Sequence, residues 1–585
     1  MYTILENARI VLSLLKKHNI RHIVLSPGGS NIPIVQGVQQ DPFFKCYSVV
    51  DERSAMYFAI GLYLQTGEVV ATSCTSAQAT RNYVPGLTEA YYKKVPILAI
   101  TMSKHPKYLG QEYMQCPIQT SLPVDSIKKS FSLPYISNEH DRSLCVRMAN
   151  EAILELTHHN TGPVQLNIEE LDSETWAFDE KQTLPEVRAI YRYKYGENWN
   201  VDLDNKKILI VVGEHIPCSF DAAKAIEKLA DSHNCVIYSD HTSNYSGKYS
   251  LNANIMVSNM SNNFFAKEMK PDVVITIGGL TGDYGIYGRL FAGNSDSFEH
   301  WRVSTDGDVV DTYGKLTKIF EATEKQFFES FSGEEVEHSY YETWKVQLNR
   351  ACYDMELPLS NAYIAQQLHK DIPANSFLNL AILNSLRTWS YFPIDKSIKT
   401  YSNLAAFGID GCLSTFLGES VDEEHLCFLV TGDLAFFYDM NALGIRHIKN
   451  NVRIVLVNNN GGAEFKLGSL EKRTDVSSYI SAAGHFKNAK GWAETCGFKY
   501  ISANSKEEFL SLKNEFLSNS DRPVIFEIFT SADDERMANQ KIAASNSFLT
   551  DNELAYNGIK NNAKKVLGET GFNALKGIVK KVGLD

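Results

Sequence analysis

The sequence lacks the features that mark membrane, disulfide-rich or nucleic-acid-binding proteins. No apolar run is long enough to cross a bilayer, and residues 1–6, expected to begin an amphipathic helix, have no signal-peptide layout. The ten cysteines include no Cys-x-x-Cys pair, which favours reduced thiols over a disulfide or zinc framework. A net charge of −12 disfavours nonspecific nucleic-acid binding as the main role. These absences predict a cytoplasmic protein without a transmembrane segment.

The chain is long enough for several domains, since a single core usually stops growing well below 585 residues. Strand and helix patterns alternate along it, which is typical of α/β proteins with doubly wound parallel sheets. We expect three such domains, at 1–190, 200–345 and 355–535, and a helical tail at 536–585. The polar stretch 193–205 is interpreted as a linker.

Short apolar runs predict individual strands of these sheets. The clearest runs, in chain order, lie at residues 22–25, 69–72, 97–100, 207–213, 272–279, 426–430, 452–457 and 523–528. A helix is expected over residues 55–64.

The end of the tail has an amphipathic pattern. One predicted helical face is apolar and consists of Phe572, Leu575, Ile578, Val579 and Val582, while Lys576, Lys580 and Lys581 lie elsewhere. A helix docked on its own protein or across a subunit boundary explains this pattern. A lid over an active site, or a surface for a partner or membrane, explains it as well.

The most informative segment runs from Gly432-Asp433-Leu434 to Asn458-Asn459-Asn460-Gly461-Gly462. A strand that delivers an acidic residue, a helix, and a second strand that ends in Asn and Gly place oxygen donors side by side. Such donors suit Mg²⁺ and leave room for a cofactor diphosphate. An ordinary βαβ unit with a capping Asp and an Asn-Gly turn explains the same residues.

Three N-terminal motifs accompany this segment in a fixed order: Leu-Ser-Pro-Gly-Gly-Ser at 25–30, Asp-Glu-Arg at 51–53 and Thr-Ser-Ala-Gln-Ala-Thr-Arg-Asn at 75–82. Ser-Asn at 402–403 and Gly-Ile-Asp-Gly at 408–411 follow. With them the chain resembles the thiamine diphosphate enzymes, in particular the menaquinone-pathway (MenD-type) synthase family. That family decarboxylates 2-oxoglutarate and adds the product to isochorismate.

The resemblance extends to about residue 535 and implies a pyrimidine-binding, a central and a diphosphate-binding domain. It implies that Glu52 hydrogen-bonds the aminopyrimidine ring as the catalytic acid, and that Asp433, Asn459 and Gly461 bind Mg²⁺. Asn458 and Asn460 compete with Asn459 for that assignment. The remaining implied cofactor-binding residues are Pro27, Gly28, Ser76, Asn82, Ile409, Gly432 and Leu434, with Ile409 propping the bent cofactor.

Some of these residues have simpler explanations. Glu52 is also explained as an acid at a helix N-terminus, and Ile409 as a core residue. Ala77 departs from the glycine that the family commonly has in its Thr-Ser-Gly turn. In the family the two halves of a site come from different subunits, so a homodimer or homotetramer is implied.

The substrate positions depart from the resemblance. Arginines of the family are replaced by Ser30, Trp389 and Leu404, and its Asp-Arg-Pro turn is replaced by Ser-Lys-His-Pro at 103–106. Because arginine binds carboxylates bidentately, these losses argue against the same polyanionic substrate pair. Polar and apolar candidates for substrate contact remain, namely Lys104, His105, Gln115, Ser385, Arg387 and Phe465.

Glu464 follows the metal loop where an apolar residue would otherwise face the reacting carbon, and it is a candidate general acid or base. A salt-bridged or solvent-facing residue is the alternative. The sequence therefore predicts an enzyme that uses thiamine diphosphate and Mg²⁺ to decarboxylate a 2-oxo acid and pass the acyl carbanion to an acceptor or a proton. The alternatives are the menaquinone-pathway synthase itself and a non-catalytic scaffold subunit that binds the cofactor.

Overall fold

Parallel strands alternate with helices in the computed structural model, which describes residues 1–171, 173–215, 218–293, 297–331, 333–467, 478–485 and 487–556. Contacts divide the chain into two units. The first contains Met1–Trp199 and Glu299–Ala322, and the second contains the described residues of Asn200–Phe298 and Thr323–Asp585. The α/β class predicted from the sequence is confirmed.

The strands, in chain order, are β1 (Tyr2–Thr3), β2 (His22–Leu25), β3 (Lys45–Ser48), β4 (Val70–Cys74), β5 (Ile97–Lys104), β6 (Ser130–Leu133), β7 (Val164–Glu170), β8 (Phe178–Asp179), β9 (Tyr191–Lys194), β10 (Ile208–Val212), β11 (Cys235–Ser239), β12 (Ser250–Leu251), β13 (Val273–Ile277), β14 (Glu299–Val303), β15 (Leu316–Glu321), β16 (Phe377–Leu380), β17 (Lys399–Tyr401), β18 (Cys427–Gly432), β19 (Val452–Asn458), β20 (Lys499–Ala503) and β21 (Val524–Phe529).

The α-helices are α1 (Glu6–Lys17), α2 (Ile32–Gln39), α3 (Glu52–Thr66), α4 (Gln78–Asn82), α5 (Val84–Lys93), α6 (Glu139–Glu155), α7 (Phe220–Ser232), α8 (Asn254–Ser258), α9 (Asn262–Phe264), α10 (Tyr284–Phe291), α11 (Glu324–Glu329), α12 (Ser339–Leu348), α13 (Asn361–Leu368), α14 (Asn384–Trp389), α15 (Cys412–Glu419), α16 (Asp433–Tyr438), α17 (Lys490–Thr495), α18 (Lys506–Leu517) and α19 (Ala532–Ser545). Short 3₁₀ turns include Gly29–Asn31, Met440–Gly444 and Ala463–Lys466.

A six-stranded parallel sheet with the order β3-β2-β4-β5-β7-β6 organises the first unit. Apolar clusters cover both faces, because successive side chains of a strand point to opposite sides. Ile23 and Leu25 belong to one cluster, and Val24 belongs to the other. This double burial explains why the strand is a continuous apolar run.

The second unit contains an equivalent sheet with the order β17-β16-β18-β19-β21-β20, again parallel throughout. Phe428 and Val430 of β18 pack into one apolar cluster, and Leu429 packs into the other. In a parallel sheet the carboxyl ends of all strands meet at one edge. Loops that follow β16, β18 and β19 therefore lie beside one another.

Two smaller groups of parallel strands complete the units. In the second unit, β10 pairs with β11 and β13, and β11 pairs with β12. In the first unit, β15 pairs with β14 and β9. The first residues of the predicted linker 193–205 therefore lie in a strand, and Tyr193 stacks on Phe320 with ring centroids 5.4 Å apart.

The N-terminus and the tail differ from expectation in detail. The helix expected to begin within residues 1–6 begins at Glu6, because Tyr2 and Thr3 pair antiparallel with β8. Of the predicted tail 536–585, residues 536–545, which end α19, and residues 551–556 are helical. The apolar face predicted between Phe572 and Val582 lies outside the described residues.

Among the residues that the structure describes, no helix has both the length and the apolar character needed to cross a bilayer.

Candidate active site

The register of β18 and β19 brings the two ends of the predicted metal segment together. Gly432 pairs with Val457, and Asp433 begins α16 directly after β18. Asn459 and Gly461 follow the end of β19. The strand pairing thus places the Asp433 carboxylate beside the Asn-Gly loop, as the sequence predicts.

Asp433 holds this loop by accepting hydrogen bonds from its backbone. Its Oδ2 accepts from the N–H groups of Asn459 at 3.2 Å and Gly461 at 2.9 Å, and Oδ1 accepts from the Leu434 N–H at 2.7 Å. Burial raises the pKa of Asp433, whereas hydrogen bonds from Gly461 and His485 lower it in part. Because the carboxylate is only 2% exposed, a cation beside it would stabilise its charged form.

Asn459 carries the unsatisfied oxygen of the loop. Its Oδ1 is buried and has no hydrogen-bond partner among the described residues. The neighbouring Asn458 is engaged, because its Nδ2 donates to Glu527 at 2.6 Å and its Oδ1 accepts from the Asn460 N–H at 3.2 Å. A buried amide oxygen without a donor beside a buried carboxylate fits a hard cation such as Mg²⁺.

Gly461 is required by close packing. A Cβ at this position would lie 2.8 Å from both Ala483 Cα and Ser481 O, and its φ of 148° is unfavourable for a side chain. The Gly461 carbonyl accepts from the Ala463 N–H at 3.1 Å. A second lone pair of that oxygen can serve a metal ion.

His485 is a site residue that the sequence analysis did not identify. Its Nδ1 accepts from the Lys487 N–H at 2.9 Å, so the proton is on Nε2, which donates to Asp433 Oδ2 at 3.0 Å. The ring also packs edge-on against Phe437. No local pattern relates His485 to Asp433, which lies 52 residues away.

Glu464, which follows the Asn-Gly loop at 458–462, forms an ion pair with Arg387. Glu464 lies in the turn Ala463–Lys466, and its Oε1 is 2.7 Å from Arg387 Nη1. The side chains are 22% and 23% exposed. Phe465 is 38% exposed next to Glu464. The pairing matches the salt-bridged alternative for Glu464, and its acid or base role stays a prediction.

The loop after β17 contains Ile409, the residue predicted to prop the bent cofactor. Ile409 is half-buried, and Phe407 has a φ of +58°, which is strained for a bulky side chain. Ser402 Oγ is buried and has no hydrogen-bond partner among the described residues. A strained backbone and an unsatisfied buried hydroxyl group are both typical of a ligand-binding loop.

The predicted substrate residues of the second unit are mostly buried. Trp389 is 1% exposed and donates from Nε1 to Asn361 at 3.1 Å, and Leu404 is 1% exposed. Both pack in the same apolar cluster. Ser385 is 5% exposed on the same helix as Arg387. The replaced arginine positions thus serve packing here, and their contact with substrate stays a prediction.

In the first unit, Glu52 is the first residue of α3 and accepts from Asn82 Nδ2 at 3.0 Å through Oε2. The contact joins two residues that the resemblance assigns to the cofactor. Asp51 caps the helix by accepting from the Ser54 N–H at 3.0 Å, so Glu52 is not needed for capping.

The two loops near Glu52 are closely packed. A Cβ on Gly28, which follows Pro27, would lie 2.5 Å from Thr75 Cβ. Ser30 is 6% exposed, and its N–H donates to Thr75 Oγ1 at 3.3 Å. Ser76 Oγ is buried without a hydrogen-bond partner among the described residues. A polar ligand would satisfy it.

Ala77, where the family commonly has glycine, adopts φ 65° and ψ −114°, a conformation that favours glycine. Its N–H donates to Gln119 Oε1 at 2.8 Å, and Gln119 Nε2 donates to the Met102 carbonyl at 2.7 Å. Gln119 therefore holds the strained turn and was missed by the sequence analysis. The predicted Gln115 is exposed.

Lys104 forms an ion pair with the fully buried Glu170, with Nζ 3.0 Å from Oε1. An anion at Lys104 would compete with that carboxylate. His105 Nδ1 accepts from the Lys107 N–H at 3.2 Å. The anion-binding role of both residues stays a prediction.

The chain is similar in sequence to known proteins over most of its length. Residues 6–122 match the family described as the thiamine pyrophosphate enzyme, N-terminal TPP binding domain. A protein of Bacteroides thetaiotaomicron, named 2-succinyl-5-enolpyruvyl-6-hydroxy-3-cyclohexene-1-carboxylate synthase, is 34% identical over 91% of this chain and 97% of its own length. Proteins of the same name from Phocaeicola vulgatus and Bacteroides fragilis are also 34% identical over 91% of the chain, and over 96% and 97% of theirs.

Proposed function

Because the chain belongs to the family of the 2-succinyl-5-enolpyruvyl-6-hydroxy-3-cyclohexene-1-carboxylate synthases, which are thiamine diphosphate enzymes, we propose that it uses thiamine diphosphate and Mg²⁺ to decarboxylate a 2-oxo acid and joins the remaining acyl group to an acceptor. Protonation of that group, as in a simple decarboxylase, is the nearest variant. The enzyme is a transferase in the first case and a lyase in the second.

The observation that carries this proposal is the pair of Asp433 and Asn459. The Asp433 carboxylate is buried and accepts from the Asn459 N–H at the carboxyl edge of a parallel sheet, and the side-chain oxygen of Asn459 is buried without a hydrogen-bond partner among the described residues. Asp433, Asn459 and the Gly461 carbonyl would hold Mg²⁺, and the diphosphate would complete its oxygen ligands. Gly432, Leu434 and Ile409 are the cofactor contacts proposed around them.

When bound, thiamine diphosphate supplies a thiazolium carbon that adds to the 2-oxo group and accepts the electrons left when CO₂ departs. Glu52 would hold a proton at a carboxylate oxygen next to the aminopyrimidine ring. The contact with Asn82 orients that carboxylate. Pro27, Gly28 and Ser76, in the same unit as Glu52, are further proposed contacts of the cofactor.

We further propose that Glu52 and Asp433 of one site come from different subunits of a homodimer or homotetramer. The exposed face of α3, the helix that begins with Glu52, supports this. Tyr57, Phe58 and Leu64 on it are 46%, 45% and 61% exposed. Large apolar side chains grouped on one helix face are typical of a protein interface.

The substrate pair is proposed to differ from that of the relatives. Ser30, Trp389 and Leu404 stand where the resemblance implies arginines, and two of them pack in an apolar cluster. Without those guanidinium groups, the carboxylates of 2-oxoglutarate and isochorismate lack their main positively charged partners in the site. The identity with the synthases nevertheless makes that reaction the second candidate.

One experiment separates these possibilities. Purified full-length protein is supplied with thiamine diphosphate, Mg²⁺ and a panel of 2-oxo acids, and CO₂ is measured with and without aldehyde acceptors. We expect CO₂ release and, with acceptors, a ligated product. Consumption of isochorismate with 2-oxoglutarate would establish the second candidate. Cofactor binding without CO₂ release from any acid would indicate a non-catalytic scaffold and refute the proposal.

A further inference from the structure

The ion pair between Arg387 and Glu464 is close to charge-neutral. Burial alone would lower the pKa of Arg387, but the Glu464 carboxylate more than offsets this, and the net shift is upward. The Arg387 guanidinium and the Glu464 carboxylate are in direct contact, with Nη1 2.7 Å from Oε1. A substrate group that approaches this pair meets little net charge.

One oxygen of the pair is unsatisfied. Glu464 Oε2 is buried and has no hydrogen-bond partner among the described residues, whereas Oε1 contacts Arg387. A carboxylate oxygen accepts hydrogen bonds and cannot donate them when ionised. The missing partner is therefore a hydrogen-bond donor.

The charge of that donor follows from the pair. An anion would have to displace Glu464 from Arg387, which leaves a partly buried carboxylate without its partner, an unfavourable outcome. A cation that reached Oε2 would lie close to the guanidinium and be repelled by it. A neutral hydroxyl group satisfies Oε2 without either cost.

Aromatic side chains flank the pair on one side. The Arg387 guanidinium lies over the Tyr284 ring, 4.7 Å from its centroid. Phe407 meets Tyr284 edge-on with centroids 5.7 Å apart, and the two side chains are 37% and 43% exposed. Phe407 adopts its positive φ within this group. Exposed aromatic faces next to polar groups suit the flat, apolar side of a ring.

We propose that Tyr284, Arg387, Phe407 and Glu464 form a subsite for an uncharged, hydroxyl-bearing ring of the substrate. Glu464 Oε2 accepts from the ring hydroxyl, and Tyr284 and Phe407 pack against the ring. This inference rests on the proposed function, since it assigns the specificity of the same active site. It makes Glu464 and Arg387 specificity-determining residues that disfavour a carboxylate on the ring bound in this subsite.

Binding tests the subsite independently of turnover. Full-length protein loaded with Mg²⁺ and thiamine diphosphate is titrated calorimetrically with 3-methylphenol, toluene and 3-methylbenzoate. These probes share a ring and differ only in one substituent. We expect 3-methylphenol to bind at least about tenfold more tightly than the other two, because a site with a buried acceptor discriminates strongly against ligands that lack the donor. Equal binding, or preference for 3-methylbenzoate, overturns the proposal.

Glu464→Gln tests the origin of the preference. The substitution removes the carboxylate and releases Arg387. The ratio of the dissociation constants of 3-methylphenol and 3-methylbenzoate should therefore shift at least about tenfold in favour of 3-methylbenzoate. The ratio is unaffected by any loss of turnover in the variant. Glu515→Gln, which removes the partner of Lys499 in a comparable ion pair at 2.9 Å, is the matched control and should leave the ratio unchanged. An unchanged ratio in Glu464→Gln overturns the proposal.

A second variant covers the case in which Glu464→Gln fails to fold. Tyr284→Leu removes the aromatic face from a partly exposed position and should weaken 3-methylphenol binding at least about fivefold. Unchanged affinity in this variant contradicts the ring-packing part of the proposal.

Turnover distinguishes failure of this inference from failure of the proposed function. With the donor acid found by CO₂ release, kcat/KM is compared for 3-hydroxybenzaldehyde and 3-carboxybenzaldehyde as acceptors. CO₂ release without preference for the hydroxylated aldehyde overturns the subsite and leaves the proposed function intact. The expected binding preference without CO₂ release from any acid supports the subsite and refutes the proposed function.

Discussion

At the residue scale, Glu52 has a proposed role that can be separated from folding. Glu52→Gln keeps the size of the side chain and its contact with Asn82, so we expect thiamine diphosphate binding to change little. Turnover should fall at least about 100-fold, the usual minimum for loss of a general acid or base. Calorimetric titration of the cofactor and CO₂ release measure the two effects.

Asp51→Asn is the matched control for Glu52→Gln. Asp51 is exposed and accepts from the Ser54 N–H, a contact that asparagine retains. Activity of this variant should stay within about twofold of the unmodified protein, since the capping contact is retained and only an exposed charge pair with Arg53 is lost. Normal turnover in Glu52→Gln would remove Glu52 from the proposed mechanism.

The three consecutive asparagines make the metal assignment testable. Asn459→Ala removes an oxygen that has no hydrogen-bond partner in the described part of the chain, so stability should change by less than about 0.5 kcal/mol while Mg²⁺-dependent cofactor affinity falls about tenfold or more. Asn458→Ala should instead lower the free energy of unfolding by about 1–3 kcal/mol, because the buried Glu527 loses a hydrogen bond. Urea unfolding and Mg²⁺ titrations separate the two effects.

Asn460→Ala completes the comparison. Asn460 has a φ of +62°, so its substitution should cost stability through the backbone and leave metal affinity largely unchanged. If metal affinity falls in this variant and not in Asn459→Ala, the ligand is Asn460.

Sequence reasoning predicted which candidate site residues lie close together only where a local pattern contained them. Asp433 and Asn459 stand at strand ends within one βαβ segment, so their proximity follows from strand pairing. His485 and Gln119 reach their partners through the tertiary fold, with no motif around them. The contact of Arg387 with Glu464 likewise depends on the tertiary fold, because Arg387 lies on α14 after β16 and Glu464 lies in a 3₁₀ turn after β19.

At the element scale, buried strands were predicted well and edge strands poorly. β2 has the predicted bounds because a strand buried on both faces is a continuous apolar run. Tyr193 and Lys194 of β9 were interpreted as linker because β9 lies at the edge of its group and its residues, Tyr191–Lys194, are exposed or only partly buried. Its pairing with β15 is non-local, and sequence periodicity does not report it.

The contact between α15 and β16 predicts a pH dependence of stability. Burial raises the pKa of Glu419 from 4.5 to about 7, against a hydrogen bond from Asn379. A raised carboxyl pKa stabilises the fold below 4.5 and loses this effect as pH rises through about 7. Glu419→Gln should therefore gain about 1–3 kcal/mol relative to the unmodified protein between pH 5 and pH 8.

Thermal unfolding at those two pH values measures this effect. The unmodified protein should lose more thermal stability between pH 5 and pH 8 than Glu419→Gln does. Glu424→Gln, a nearby exposed glutamate, is the control and should behave as the unmodified protein. Parallel pH profiles for the unmodified protein and Glu419→Gln would show that Glu419 ionises normally.

At the scale of the whole molecule, the sequence predicted the repeated α/β organisation. It did not predict which segments of the chain belong to the same compact unit. The described residues divide into two units, and Glu299–Ala322 joins the first unit although it is distant in sequence. The three domain boundaries and the tail boundary stay predictions. Such clustering depends on non-local strand pairs, which composition and linker signals do not reveal.

The exposed face of α3 predicts the assembly state. Phe58→Asp combined with Leu64→Asp places two charges on side chains that are 45% and 61% exposed, so folding should be preserved while subunit association weakens. If each site needs two subunits, cofactor retention should fall with association. Sedimentation velocity and the thiamine diphosphate content after gel filtration measure both.

Val346→Asp is the control for this prediction, because Val346 is 58% exposed on α12 in the other unit. It should change neither association nor cofactor content. A monomeric α3 variant that retains a full complement of cofactor would show that one chain holds the whole site. A variant that stays associated would place the interface elsewhere.

The Asn459 and Gly461 amides donate hydrogen bonds to Asp433, so contacts within the protein order the backbone of this loop. The loop therefore loses little conformational entropy when Mg²⁺ binds. This favours fast association of the ion over binding that waits for the loop to become ordered. Deuterium uptake at the Gly461 amide should accordingly be slow in apoprotein, and it should change little after loading.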